Sequence, residues 1–355
     1  MIPDQKCDRD ELYDRISELE QLHKNIDKNT PLTLLTGIRR IGKTSLLCVF
    51  INEIGIPYLL IDARNLPANY GLRDLYGLLS KSMSNKKFLD KMKDVLGVVS
   101  GIKVTGIEVE LSWRGRESIS LGTLFDYMNK RKVLIAIDEA QALRGPRGEL
   151  FLKALAHAYD YDRNIMFILT GSEVGLLYDY LDIENPDSPL YGRYINVITL
   201  ERFTEAQSVD FLRKGLMEAG ITPPIEYVRS IVEVFDGIPG WLTIAGNYIV
   251  TKSKLVDIDH IEEYAINIAI REIMKLEKTH GSRLIRTLKL LAQGHNSWTR
   301  LKKALEENEG KTVSKSSLSR IIRTLEKLSI IENYEFLDPI YKKASERILV
   351  QSHGD

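Results

Sequence analysis

Residues 31–47 read Pro-Leu-Thr-Leu-Leu-Thr-Gly-Ile-Arg-Arg-Ile-Gly-Lys-Thr-Ser-Leu-Leu. The first six are apolar and β-prone, and Gly37 ends them. A stretch of helical character starts near Lys43. Between them, Gly37-Ile38-Arg39-Arg40-Ile41-Gly42-Lys43-Thr44 matches Gly-x4-Gly-Lys-Ser/Thr in full, in the strand-to-helix position that this motif requires. Gly37 and Gly42 let the backbone turn tightly and approach an anion. The N–H groups of about residues 40–44 point inward, and the helix N-terminus adds positive potential. Lys43 is placed to reach the β- and γ-phosphates, Thr44 to ligate Mg²⁺, and Ser45 to lie near the α-phosphate. Arg39 and Arg40 bring two more charges, for phosphate or for acidic groups of a neighbouring lid.

Working outward, residues 56–62, 132–138, 164–171 and 194–200 read as four further strands. They are almost continuously apolar, which suits strands buried on both faces, and helical segments separate most of them. Strand–helix alternation over about 200 residues predicts a parallel α/β sheet. The strand Val133-Leu134-Ile135-Ala136-Ile137 delivers Asp138 at its C-terminal edge, where open α/β sheets bind ligands. Asp138 is the second expected metal residue beside Thr44, and Glu139 the expected base for an attacking water. One stretch breaks the pattern. Ile107, Val109, Leu111 and Trp113 alternate with polar residues and, with Ile102, Val104 and Thr105-Gly106, predict an inserted hairpin at about 101–114.

A helix is expected over residues 8–27, with Asp8 and Glu11 as a capping box and Leu12, Ile16, Leu19, His23 and Ile26 as its stripe. After Leu200 the chain turns helical. Thr204 and Gln207 form a capping box, and helices are expected up to Gly220, along Ile225–Phe235, and over 241–253 and 258–279. Beyond Gly281, stripes led by Leu284, by Trp298 and by Leu318 mark three helices, followed by two short strands at Ile330-Ile331 and Tyr334–Phe336. This is the winged helix-turn-helix pattern. The expected domains are 1–202, a helical lid at 203–280 and a winged helix at 281–355.

The 355 residues carry 49 Lys plus Arg and 49 Asp plus Glu, so a uniformly basic coat protein is excluded. The charge is unevenly spread, however. Residues 281–350 hold fourteen basic and eight acidic residues, a net +6. Lys315, Ser319, Arg320, Arg323 and Lys327 fall away from the apolar stripe of the third helix, where a recognition helix presents residues to DNA. No apolar run approaches the roughly 18 residues of a membrane span, and the first residues lack a signal-peptide pattern. The two cysteines, Cys7 and Cys48, form no CxxC pair. Neither a disulfide framework nor a structural zinc site is therefore expected, Cys48 is read as core packing, and the compartment as reducing and cytoplasmic. Trp241 and Trp298 are read as core anchors.

The set of motifs resembles the additional-strand P-loop NTPases, and more narrowly the archaeal ATPases of the STAND group, relatives of AAA+ proteins, with a C-terminal winged helix. Arg9-Asp10-Glu11-Leu12 resembles the entry motif Arg-Glu-x-Glu-Leu, one position shorter. The Arg39-Arg40 loop, Ile137-Asp138-Glu139-Ala140-Gln141, Leu169-Thr170-Gly171-Ser172, Pro189-Leu190-Tyr191-Gly192-Arg193 and Gly237-Ile238-Pro239-Gly240 are similar to family segments in the same order. So is Tyr334-Glu335-Phe336-Leu337-Asp338-Pro339, and the resemblance runs from about residue 8 to about 345. It implies a three-layer P-loop NTPase fold and an ATP or ADP ligand with Mg²⁺. It also implies a sensor at Thr170 and Ser172, Pro239 packed on adenine, and Arg9 closing the other side of the base. Arg193 is implied as a γ-phosphate sensor, in cis or from a neighbouring subunit; the alternative is a salt bridge with Asp182, Glu184 or Asp187. Hydrolysis would reorient the lid and winged helix. The winged helix is left with two candidate partners, double-stranded DNA or a protein, and nucleotide-controlled self-association of a signalling or scaffold protein is the alternative function.

Overall fold

The computed structural model describes residues 7–145 and 147–348. They form two compact units, residues 7–37 with 43–200, and residues 38–42 with 201–348.

The first unit begins with a 3-10 turn at Arg9–Glu11 and continues with α1 (Ile16–Asp27), β1 (Leu32–Thr36), α2 (Lys43–Glu53), β2 (Tyr58–Asp62), α3 (Leu72–Met83) and α4 (Lys86–Leu96). Then come β3 (Ile102–Thr105), β4 (Glu108–Leu111), α5 (Leu121–Met128), β5 (Val133–Asp138), α6 (Gly148–Tyr161), β6 (Ile165–Gly171), α7 (Val174–Leu181) and β7 (Asn196–Thr199). Five strands form one parallel sheet in the order β2-β5-β6-β1-β7. Every residue of β1, β5 and β6 is buried, so helices cover both faces and the unit has three layers. On one face Phe125, Phe151 and Phe167 meet edge to face with ring centroids 5.5–6.5 Å apart. β6 lies between β1, which leads into the phosphate loop, and β5, which carries Asp138. That inserted strand is the one that the sequence resemblance calls for. The hairpin β3–β4 is a separate antiparallel pair, as its alternating pattern predicts.

Two expectations for the N-terminal segment are corrected. The helix starts at Ile16, because Asp14 and Arg15 both adopt left-handed backbone at φ 57° and 68°. Asp8 makes no capping hydrogen bond, and Ile16 is 54% exposed while Leu19, Leu22 and Ile26 are buried. Second, Cys7 and Cys48 form a disulfide with a Cα–Cα separation of 4.8 Å. A spacing of 41 residues says nothing about adjacency in space, so counting cysteines could not find this pair. With it goes the ground for reading a reducing compartment from the cysteines. No helix among the described residues is long and apolar enough to cross a membrane.

The second unit continues with α8 (Glu205–Glu218), α9 (Ile225–Phe235), α10 (Pro239–Lys252), α11 (Ile258–His280), α12 (Ser282–Ala292), α13 (Trp298–Glu309) and α14 (Lys315–Lys327). It closes with β8 (Ile331–Glu332), β9 (Glu335–Phe336) and α15 (Pro339–Arg347). The Thr204–Gln207 capping box forms as expected. The wing turns on Asn333 and Tyr334, both at positive φ, which suits a two-residue hairpin. The sequence reading did not predict α15, although Asp338 caps it and Pro339 takes its first turn. Trp241 is fully buried, while Trp298 is only half-buried, a correction to its reading as a core anchor.

Candidate nucleotide-binding site

The chemistry of the first unit gathers at the C-terminal ends of β1, β5 and β6. β5 ends on Asp138, and Glu139 follows with φ 52° and ψ 52°. Holding a non-glycine residue there costs on the order of 1 kcal/mol, so the surroundings must determine it. They do so through Thr170 on β6, which is wholly buried. Its hydroxyl accepts from the Glu139 N–H at 3.0 Å and donates to Asp138 Oδ1 at 2.5 Å. One side chain thereby ties the Asp138 carboxylate to the backbone of Glu139.

Asp138 is 2% exposed. Thr44 Oγ1 donates to its Oδ2 at 3.0 Å, and Arg64 Nη2 lies 3.5 Å from the same oxygen. Burial pushes the carboxyl above the usual aspartate range; the Thr170 bond opposes this and the Glu139 charge adds to it. A hydroxyl and a carboxylate side by side form a hard oxygen pair of the kind that binds Mg²⁺, so the donor set fits that ion. Lys43 is 4% exposed, and its ammonium donates to the carbonyl of Gly37 at 2.8 Å. Gly37 and Gly42 have φ of 139° and 100°, which explains why glycine stands at both.

The carboxylate of Glu139 is fastened at one oxygen. Oε2 accepts from Gln141 Nε2 at 2.6 Å, from Ser172 N at 3.0 Å and from Ser172 Oγ at 2.8 Å. Burial pushes the carboxyl up, but the Lys43 charge and these bonds outweigh it and hold it below the usual glutamate range. Glu139 is therefore ionised at neutral pH. Ser172 stands where the sequence reading put a sensor. Gln141 and Arg64 were missed. Gln141 lies in the segment quoted for its resemblance, but nothing in the residue type assigned it a role.

The middle of the phosphate loop belongs to the second unit. Arg40, with φ 66°, donates from both terminal nitrogens to Glu272 of α11, at 2.7 and 3.0 Å. Its guanidinium carbon sits 3.9 Å from the centroid of the Trp241 ring. Arg39 pairs with Glu272 at 3.8 Å. The two arginines thus dock on an acidic residue of α11. Gly240 N donates to Arg40 O at 2.9 Å, and a Cβ on Gly240 would lie 2.6 Å from the Arg40 Cβ. Pro239 starts α10 at this turn and is buried. The network runs on, since Tyr341 donates to Glu272 at 2.5 Å and Trp241 Nε1 to Asp338 at 2.7 Å.

Other expected residues lie apart from these clusters. Arg193 pairs bidentately with Asp160, at 3.1 and 2.5 Å, and donates to the Pro189 carbonyl. Its partner is none of the three acids considered from the sequence. Arg9 pairs with Glu53 at 3.7 Å, at the end of α2 away from Lys43. On α14, Lys315, Ser319, Arg320 and Arg323 are exposed and Lys327 is half-buried.

Residues 12–244 match the family described as an ATPase domain predominantly from Archaea. Residues 278–344 match the C-terminal winged helix-turn-helix domain of MCM proteins. Among solved structures, the Walker-type ATPase of Pyrococcus abyssi is 32% identical, covers 97% of this chain and 99% of its own, and superposes with a TM-score of 0.82. The Orc1 protein of Aeropyrum pernix in complex with DNA is 15% identical over 94% of this chain and 92% of its own, with a TM-score of 0.46. The RuvB Holliday junction branch migration motor of Thermotoga maritima is 13% identical over 92% of each chain, with a TM-score of 0.45. No curated protein sequence matches.

Proposed function

The chain belongs to the family of ATPase domains found predominantly in Archaea, and from that premise we propose that it binds ATP and hydrolyses it to ADP and phosphate as a nucleotide-driven switch. The observation that carries this reading is the convergence of Lys43, Thr44, Asp138 and Glu139, with Thr170 tying Asp138 to the Glu139 backbone and Ser172 and Gln141 holding the Glu139 carboxylate. Lys43 neutralises the β- and γ-phosphate oxygens. Thr44 and Asp138 would hold Mg²⁺, which when bound would supply positive charge against the negative charge that develops in transfer. Glu139 orients a water for attack on the γ-phosphorus and accepts its proton. Ser172 and Gln141 position Glu139 and keep it ionised. Arg193 is engaged by Asp160 of its own chain, so a γ-phosphate role for it, in cis or from a neighbouring subunit, requires that pair to open. Pro239 is proposed to border the adenine, and the pairing of Arg9 with Glu53, at the far end of α2, speaks against the same role for Arg9.

The test is phosphate release with Mg²⁺ and ATP. Lys43→Ala abolishes nucleotide binding. Glu139→Gln retains nucleotide and loses about two to four orders of magnitude in turnover. Undiminished turnover in Glu139→Gln would remove Glu139 from the reaction.

A second reading is that the winged helix associates with double-stranded DNA. What favours it is the exposed row of Lys315, Ser319, Arg320 and Arg323. The wing itself carries Glu332 and Glu335, which repel phosphate, so α14 is the contacting element. Duplex binding should weaken steeply with salt, and Arg320→Ala with Arg323→Ala should lower affinity and flatten that slope by about two. A salt-independent affinity, equal in the double variant, would turn the assignment toward a protein partner.

A further inference from the structure

Three metal-ligating side chains meet in the first unit, well away from the phosphate loop. Asp126 is on α5, His157 is on α6, and Asp162 caps the C-terminus of α6 three residues before β6 begins. One ligand atom from each lies within 4.8 Å of the others. β6 runs from this cluster to Gly171, beside the Ser172 that holds Glu139, a distance of about 20 Å at strand rise. This cluster is therefore separate from the nucleotide site.

The informative member is Asp162. It is 3% exposed, and its Oδ2 is buried with no hydrogen-bond partner. Buried carboxylate oxygens are almost always satisfied, because leaving one bare forfeits its hydration with nothing in return. Among the described residues no lysine or arginine forms an ion pair with Asp162 or Asp126. His157 Nε2 lies 2.7 Å from Asp126 Oδ1. Burial, and then the charge of Asp126, push the Asp162 carboxyl above the usual aspartate range. Two carboxylates facing one imidazole, one of them buried and unpartnered, are short of positive charge.

We propose that Asp126, His157 and Asp162 bind one first-row divalent cation, with zinc preferred. Imidazole selects against Mg²⁺ and Ca²⁺, and zinc accepts one nitrogen and two carboxylate oxygens with water as a fourth ligand. Bonds of about 2.0 Å place tetrahedral ligands about 3.3 Å apart. Side-chain rotation of the partly exposed Asp126 and His157 closes the remaining gap. That same exposure provides the way in. The ion would pin the end of α5 to the end of α6 and to the start of β6. The earlier expectation of no structural zinc site rested on thiolates, and this site uses none.

The experiment is titration of the metal-free, full-length chain with ZnCl₂, in excess MgCl₂ and ADP so that the nucleotide site is occupied. Binding and thermal midpoint are read together. One zinc per chain and a raised midpoint are expected. Asp162→Asn and His157→Ala should each weaken zinc binding at least about tenfold and remove the zinc-dependent rise. The metal-free midpoint of Asp162→Asn should not fall, because the amide removes a desolvated charge. Zinc affinity equal in wild type and both variants, or no zinc uptake by the wild type, would overturn the proposal.

Discussion

Three donors converge on one oxygen of Glu139, and this geometry separates positioning from charge. The Ser172 N–H remains in an alanine substitution at that position, but the hydroxyl does not. Ser172→Ala should therefore leave the backbone turn intact while loosening the carboxylate. A base must be ionised to act, and the hydroxyl helps to hold the Glu139 carboxyl low. Its loss moves the carboxyl upward and shifts the acid limb of the turnover profile to higher pH. At neutral pH turnover should fall about tenfold, matching about 1.4 kcal/mol of lost positioning. A slower enzyme whose acid limb stays at the same pH would mean that Ser172 acts on the substrate and not through Glu139. The same sign holds for stability. The folded carboxyl lies below its unfolded value, so its contribution is present at neutral pH and is lost as pH falls through the folded value. Lys43, Thr44, Asp138 and Glu139 were legible because each occupies a motif position whose chemistry dictates the residue type. Gln141 and Arg64 were not, because their direction depends on the left-handed turn at Glu139 and on a 3-10 turn after β2, neither of which leaves a periodic trace.

At the scale of elements, the buried strands were found within about two residues of their ends, because a run buried on both faces leaves an unbroken apolar signal. Local caps were harder. Asp8 and Glu11 have the right types and spacing, yet the segment instead makes a 3-10 turn and is tied to α2 by Cys7–Cys48, by the Asn52 side chain donating to Cys7 O at 3.1 Å, and by Arg9–Glu53. A tertiary tether outweighed a local preference there. At the other end of the chain Asp338-Pro339 is a helix start that was read as part of the wing. The tether has a measurable consequence. Closing a loop of 41 residues removes enough unfolded-chain entropy to stabilise the fold by up to about 4 kcal/mol. Guanidinium unfolding with and without reductant should show the wild type losing a stability of that order. Cys48→Ser should already be at the lower midpoint and ignore the reductant. A wild-type midpoint indifferent to reductant would show that the link does not constrain the unfolded chain.

The whole molecule divides its phosphate loop, with Gly37 and Lys43 in the sheet unit and residues 38–42 in the helical one. Lys43 and Arg40 are therefore three residues apart in the chain, one in each unit. From Arg40 the contacts are short and largely buried: Glu272 on α11, the Trp241 face on α10, then Tyr341 on α15 and, through Trp241, Asp338. Glu272 and Arg40 compensate each other; burial pushes the glutamate up, and the bonds and charge of Arg40 hold it below the usual range. Such a pair is costly to break from one side, roughly 3 kcal/mol, because the remaining charge is left partly desolvated. Nucleotide state is thereby expected to reach the winged helix through one side chain. In hydrogen exchange, wild type bound to ADP and to a non-hydrolysable ATP analogue should differ along residues 338–347 and around Glu272. Arg40→Ala should raise exchange there on the order of a hundredfold in both states and erase the difference between them. Lys43 still binds nucleotide in that variant, so the strand ends at Asp138 and Thr170 should keep their nucleotide-dependent protection. If residues 338–347 respond to nucleotide equally in Arg40→Ala, the signal travels by another path and Arg40 is only a structural clamp.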